Sequence, residues 1–147
     1  EKDAQELAKL YGAIFETYPT PMNDERYIKK VMEEGTIFSV IEFEGIIVSA
    51  ASAEVNEMYH NAEITDCATI PQHRKHGFMK VLISALEQEL FRKNIYCSYS
   101  LARSLSMGMN AVFHQLGYEY GGRLTKNCNI WDKYEDMNIW GKDLSLK

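Results

Sequence analysis

The chain has 147 residues, 46% of them hydrophobic, and a formal charge of −5 at pH 7. That length suits one domain around one core, and the acidic balance argues against broad nucleic-acid binding, which needs a basic face to displace counterions from phosphates. The longest apolar run, Gly45 to Ala53, falls far short of the ~18 residues of a membrane span, and no basic-then-apolar leader opens the chain, so a membrane is not an expected partner either.

In chain order, Leu7, Leu10, Tyr11, Ile14 and Tyr18 recur at three- and four-residue steps, which predicts a helix from Asp3 to Tyr18. Two prolines in Tyr18 to Asp24 break it, and Asp24 can cap a second helix that runs to about Glu34 and ends at Gly35. Thr36 to Phe43 and Ile46 to Val55 are β-rich and separated by Glu44-Gly45, a hairpin signal. Ala62 to Ile70 predicts a third strand. From Gly77 to about Lys93 a helix is expected, with Phe78, Val81, Leu82, Ala85, Leu86 and Leu90 as its apolar stripe. Ile95 to Leu101 follows as strand, Ser106 to Leu116 as a helix closed by Gly117, and Tyr118 to Thr125 and Asn138 to Leu144 as the last strands, joined by a polar and aromatic segment. The order α-α-β-β-β-α-β-α-β-β has no repeat and no linker, and predicts a single α/β or α+β domain with a mixed sheet. The first residue is Glu1, not Met, which is consistent with a piece of a longer protein.

Cys67, Cys97 and Cys128 are widely spaced, with no CxxC pair and no histidine placed to complete a zinc site. Reduced thiols of a cytoplasmic protein, and no metal, are the expectation. The turn between the third strand and the third helix, Pro71 to Met79, carries more information. A strand that turns sharply into a helix presents unpaired N–H groups with the positive end of the helix dipole behind them, and such a site attracts phosphate. Gly77 lets a ligand approach the backbone; Arg74 and Lys75 add positive charge, as do His73 and His76 when protonated. On the turn alone, an ordinary βα connection with solvated basic residues explains the sequence equally well. No GxxxxGK[ST] or GxGxxG is present, which excludes the common nucleotide loops.

The segment AEITDCATIPQHRKHGFM, Ala62 to Met79, resembles the acyl-CoA-binding core of the GNAT superfamily of N-acetyltransferases, whose strand, proline and (Arg/Gln)-x-x-Gly-x-(Gly/Ala) turn wrap the diphosphate of coenzyme A. Arg74 and Gly77 fall on the first and fourth motif positions, while Met79 replaces the small sixth residue and Lys75 a frequent glycine. The element order also resembles that fold, a mixed and mostly antiparallel sheet flanked by helices, without its first strand. Together with YPTP, Tyr18 to Pro21, the runs Ala102 to Ile130 and Tyr134 to Trp140 resemble the catalytic domain of β-lysine N-acetyltransferases.

The resemblance implies acetyl transfer from acetyl-CoA, with no metal, to the primary amine of a small molecule; another amine (a polyamine or a protein lysine) and a non-catalytic acyl-CoA sensor are the alternatives. It implies that Glu63 is the general base, with Asp66 as the alternative. Strand alternation sends these two to opposite faces unless a bulge intervenes. It further implies that the backbone of Cys67, Ala68 and Thr69 pairs with pantetheine, that Arg74, Lys75, His76, Gly77, Phe78 and Met79 surround the diphosphate, and that Ser106, Asn110 and Phe113 contact the cofactor from the penultimate helix. Phe113 stands where the superfamily usually carries the tyrosine that protonates the leaving thiolate. For the acceptor, whose charges need complementary groups, Arg103 is the candidate for the carboxylate. Asp66, Asn127, Asn129, Glu135 and Asn138 are candidates for the polar remainder, and Tyr18 for one lip of the groove. Oligomeric state is open, a homodimer included.

Overall fold

The computed structural model describes residues 2–15, 18–130 and 133–146. Helix α1 (Lys2–Ile14) buries Leu7, Leu10 and Tyr11 at helical spacing. It stops a turn earlier than the periodicity predicts, at Ile14; Pro19 disfavours the helical conformation at Tyr18 itself, the expected last residue. Helix α2 (Glu25–Glu33) begins where the Asp24 carboxylate accepts the Arg26 N–H at 2.9 Å. That bond, chiefly, holds the Asp24 carboxyl below its usual range.

Six strands form one sheet in the order β1-β2-β3-β4-β6-β5. Strands β1 (Ile37–Phe43) and β2 (Ile46–Asn56) make the expected hairpin. Its two turn residues, Glu44 and Gly45, have φ of 51° and 80°, the left-handed pair that a tight hairpin turn requires. Strand β3 (Asn61–Thr69) returns antiparallel to β2, and after a short 3-10 turn at Pro71–His73 the chain enters α3 (Phe78–Arg92). Then come β4 (Cys97–Arg103), α4 (Met107–Gln115) and the pair β5 (Glu119–Ile130) and β6 (Lys133–Asp143).

The last two strands are longer than expected and form one extended hairpin whose register runs out to Ile130↔Lys133. β5 is an edge strand with no fully buried residue, so its solvated asparagines are strand residues although their polarity resembles a loop. In α3 the stripe is also corrected: Val81 is 62% exposed, whereas Ile83, which the stripe omitted, is fully buried beside Leu82, Leu86 and Leu90.

Two apolar layers sandwich the sheet. On one face, Leu82, Ile83, Leu86 and Leu90 of α3 and Phe113 of α4 pack on Ala51, Ala53, Ala62 and Ile64. On the other, Leu7, Leu10 and Tyr11 of α1 and Ile28 of α2 pack on Ile47, Ala50 and Ala68. β2 is buried without interruption from Ile47 to Ala53, as a central strand covered on both faces must be.

One pairing in this sheet is incomplete. β3 and β4 run parallel and are in register only at Asn61↔Cys97, Ala62↔Ser98 and Glu63↔Tyr99. A side-chain bond, Ser100 Oγ to the Ile64 carbonyl at 2.6 Å, extends the contact by one step. Beyond it the remaining residues of the two strands, up to Thr69 and Arg103, are unpaired with each other and the sheet opens.

Candidate active site

The opening between β3 and β4 is a cleft of about 330 Å³. Glu63, Thr65, Asp66 and Cys67 line it from β3, Leu101 to Arg103 from β4, and Ser106, Met109 and Phe113 from the α4 side. Phe15, Tyr18, Pro19 and Thr20 close it from the α1–α2 connection, and Asn127 and Cys128 from β5.

Glu63 sits half-buried at the last position where β3 pairs with β4, where the sheet begins to open. Its carboxyl is pushed up to about 7, first by burial, then by the charges of Glu54 and Asp66. A carboxylate of that basicity is matched to proton transfer at neutral pH.

Asp66 shares the cleft with Glu63 because the strand is bulged between them. The β2–β3 register runs from Ser52↔Thr65 to Ala50↔Ala68, so Asp66 and Cys67 together oppose Ala51 alone. Asp66 takes φ = 51°, a left-handed conformation that aspartate tolerates better than most residues. The parity of the strand changes there: Ala62 and Ile64 pack towards α3, but Ala68 packs towards α1 and α2. Asp66 itself is held from three sides. Tyr18 Oη donates to Oδ1 at 2.8 Å, Ser52 Oγ to Oδ2 at 2.7 Å, and Tyr11 Oη to the backbone carbonyl at 2.7 Å. Burial raises this carboxyl and the two side-chain donors lower it, with burial dominant. Tyr18 stacks on Phe15 at 4.3 Å, so the same network fixes the segment that overhangs the cleft.

Cys67 lines the cleft with its thiol pushed up to about 12, by burial first and then by Asp66. It is therefore a neutral thiol at physiological pH, unsuited to nucleophilic attack. Ala68 and Thr69 complete the strand, with Ser49 Oγ donating to the Ala68 carbonyl and sharing a 2.7 Å bond with Thr69 Oγ1. Since Ile70 N–H bonds to Val48 O on the β2 side, the alternation of an antiparallel ladder turns the N–H groups of Thr69 and Cys67 towards the opening.

At the end of β3, Arg74 Nε donates to the Thr69 carbonyl at 3.0 Å and braces the turn. Lys75 and Gly77 both take left-handed φ, 66° and 74°. Gly77 precedes α3 with no side-chain cap, so the N–H groups of the first helical turn, beginning at Phe78 and Met79, are offered outward. A Cβ at Gly77 would meet nothing of the protein within 4 Å. The space is therefore open to a ligand, and the glycine answers to φ and to that approach rather than to internal packing. Exposed Lys75, His76 and Lys80 flank the turn, the side chain of Phe78 lies by His76, and that of Met79 packs into the core. This arrangement fits the diphosphate of a nucleotide cofactor.

Across the opening, Asn110 acts as a clamp. Its Nδ2 donates to the carbonyls of Arg103 and Ser106, and its Oδ1 accepts from Asn138 Nδ2 and Trp140 Nε1, all at 2.7–3.0 Å. Both amide hydrogens and both lone pairs are used within the protein, which ties α4 to β4 and β6. Asn110→Ala strands two donors and is expected to cost about 2–3 kcal/mol in urea unfolding; an unchanged midpoint would remove the clamp. Ser106 makes no capping bond of its own and faces the cleft. Phe113 is fully buried, packs edge-on against Tyr118 and also lines the cleft, without a hydroxyl to offer.

Of the acceptor candidates, Arg103 and Asn127 line the cleft. Arg103 is already paired with another candidate, Glu135, through Nη2 to Oε1 at 2.8 Å and Nε to Oε2 at 2.6 Å. Asn138 lies buried behind the cleft against Asn110, and Asn129 is exposed on β5 opposite Tyr134. Glu54 was not anticipated. It could have been read from the hairpin: continuing the pairing of Val55 with Ala62 one step puts Glu54 opposite Glu63. Among the described residues, no group of three or more His, Cys, Asp or Glu side chains could hold a metal ion, and no helix is long and apolar enough to cross a membrane.

Residues 4–118 match the Acetyltransferase (GNAT) family. The chain is 49% identical over 140 residues to the Beta-lysine N(6)-acetyltransferase of Methanosarcina mazei, covering 95% of this chain and 52% of that protein. It is 47% identical over 142 residues to the N-acetyltransferase YodP of Bacillus subtilis, covering 97% of this chain and 52% of that protein. The chain thus spans about half the length of the curated relatives it matches. The fold matches the crystal structure of a ribosomal-protein-alanine N-acetyltransferase from Brucella melitensis with a TM-score of 0.80 at 20% identity, covering 96% of this chain and 94% of that one.

Proposed function

The chain belongs to the acetyltransferase (GNAT) family, and from that membership we propose that it moves an acetyl group from acetyl-CoA to the terminal primary amine of β-lysine, with Glu63 as the general base. The observation that carries the reading is the placement of Glu63, with a carboxyl near 7, at the point where β3 and β4 part. Support for the cofactor comes from the outward N–H groups at the start of α3 and the vacant surroundings of Gly77. Support for the acceptor comes from the name of the Methanosarcina relative and from a cleft lined by the Glu63 carboxyl, the hydrogen-bonded Asp66 and Arg103, whose charge is shared with Glu135.

In this mechanism, the diphosphate rests on the turn at Gly77 and pantetheine lies along β3 as a further strand, presenting the thioester inside the cleft. An alkyl ammonium of pKa ~10.4 is neutral in fewer than about one molecule in a thousand at pH 7, and only the neutral amine attacks. Glu63 takes a proton from the ammonium, directly or through water. The amine nitrogen then bonds to the thioester carbon, and the tetrahedral intermediate collapses with cleavage of the C–S bond. The second nitrogen proton leaves as the amide forms. Coenzyme A departs as a thiolate of reference pKa ~8.5, which needs no obligatory acid, and the phenyl ring of Phe113 accordingly carries no hydroxyl to supply one.

The test is incubation of the protein with acetyl-CoA and, separately, β-lysine, lysine, spermidine and a histone peptide. The expected result is acetylation of β-lysine with a kcat/KM at least about tenfold above the others, the scale of one well-placed polar contact. Preferential acetylation of another amine would overturn the acceptor assignment. Tight coenzyme A binding without any acetylation would overturn the enzyme.

A further inference from the structure

The cleft contains a carboxylate that the mechanism above leaves without a task. Glu54 of β2 is the direct cross-strand partner of Glu63 of β3, and both line the cleft. Directly opposed residues of an antiparallel pair put their Cβ atoms ~5 Å apart on one face, where two like charges destabilise the sheet. A strand pair that retains such a clash at the mouth of its reaction cleft carries a local cost, since Glu54 is largely exposed and partial burial, then the charge of Asp66, raises its own carboxyl as well.

We propose that Glu54 is a positioning residue for the base: its charge, fixed across the β2–β3 ladder, disfavours the ionised form of Glu63 and so keeps that carboxyl basic enough to accept the proton of an alkyl ammonium. This assignment rests on the reading of Glu63 given above. The groups that face Glu63 come from every neighbouring element. β3 itself contributes Asp66, whose charge is compensated by the Tyr18 and Ser52 hydroxyls. β4 contributes Tyr99, its partner in the ladder, and β5 contributes Cys128, which feels the charge of Glu63. The Arg103–Glu135 ion pair bridges β4 and β6 and acts on Cys128 from the far side of the cleft. The Tyr27 hydroxyl of α2 is raised by burial first and then by the charges of Glu54 and Asp66. Of the two full charges on the Glu63 side, Asp66 is hydrogen-bonded and Glu54 is not, so Glu54 is the one whose removal changes the field without dismantling a network. The causes that lift Glu63 follow the same order, burial, then Glu54, then Asp66.

The decisive experiment is a pH titration of the Glu63 side-chain carboxyl by carbon NMR. It uses the full chain without substrate, in the wild type and in Glu54→Gln and Glu54→Lys, with the resonance assigned from its loss in Glu63→Gln. The wild-type midpoint is expected near 7. Even at the dielectric of water, a charge ~5 Å away moves such a midpoint by about half a pH unit, so Glu54→Gln should lower it by at least that and Glu54→Lys should lower it further. Position 54 is exposed and accepts either side chain, and the acid limb of kcat/KM should follow the same displacement. A midpoint that stays within about 0.2 of wild type in both variants overturns the proposal. A displaced midpoint in a protein that acetylates none of the amines tested supports the role of Glu54 and overturns the functional reading alone.

Discussion

Glu63→Gln is expected to lower kcat for amine acetylation by about a hundredfold to ten-thousandfold, the range that a positioned proton acceptor contributes. Acetyl-CoA affinity should be nearly unchanged, because the proposed diphosphate site lies at the far end of β3. The wild-type kcat/KM should fall below pH 7 as the Glu63 carboxyl, raised to about 7, takes up its proton. In the variant, the inflection near 7 should vanish and the residual rate should follow the free amine alone. Retention of that inflection would transfer the base role to another carboxylate of the cleft, Glu54 or Asp66.

The same substitution should stabilise the fold at alkaline pH. The folded carboxyl at about 7 lies above the 4.5 of the unfolded chain. Below 4.5 it is protonated in both states and costs nothing. As pH rises from there through 7, the unfolded chain ionises first, and the native state loses stability relative to it. The neutral glutamine removes that loss. Allowing for screening of a half-buried group, Glu63→Gln should be about 1–2 kcal/mol more stable than wild type at pH 8 and about equal at pH 4. Guanidinium unfolding at the two pH values checks the sign.

Gly77→Glu should abolish measurable acetyl-CoA binding, a loss of about a thousandfold or more in calorimetric titration. It places a side chain and a negative charge where backbone donors face outward, and it demands φ = 74° of a residue with a Cβ. Gly77→Ala separates the effects, because it carries the backbone strain without the charge and should bind roughly tenfold to a hundredfold less tightly. Unchanged affinity in Gly77→Glu would mean that the turn does not hold the diphosphate.

The features that position this site were legible to different degrees, for physical reasons. Gly77, Asp24, Gly45 and the prolines at 19 and 21 punctuate the chain through backbone rules that act locally, so helix starts, the first hairpin and the strand-to-helix turn could be read from the residues. The bulge at Asp66 could not. It is marked by no glycine or asparagine, and it is stabilised by Tyr11, Tyr18 and Ser52, partners as far as 55 residues away. Without it, Glu63 and Asp66 belong to opposite faces; with it, they meet in one cleft. The parting of β3 from β4 is equally non-local, since neither strand contains a breaker at the point of divergence. The long β5–β6 hairpin escaped because an edge strand exposed to water has no apolar pattern to betray it. Val81 shows the converse, an apolar residue left in solvent by a helix that buries Ile83 instead.

The central claim is that the opening between β3 and β4 receives pantetheine while the first turn of α3 holds the diphosphate. A crystal structure of the protein with coenzyme A tests it most directly. Diphosphate oxygens should lie within hydrogen-bond distance of the backbone N–H groups at residues 77–80, with pantetheine alongside Cys67 to Thr69 and the sulfur in the cleft that Glu63 and Phe113 line. A nucleotide bound on any other surface, with that opening empty, would contradict it.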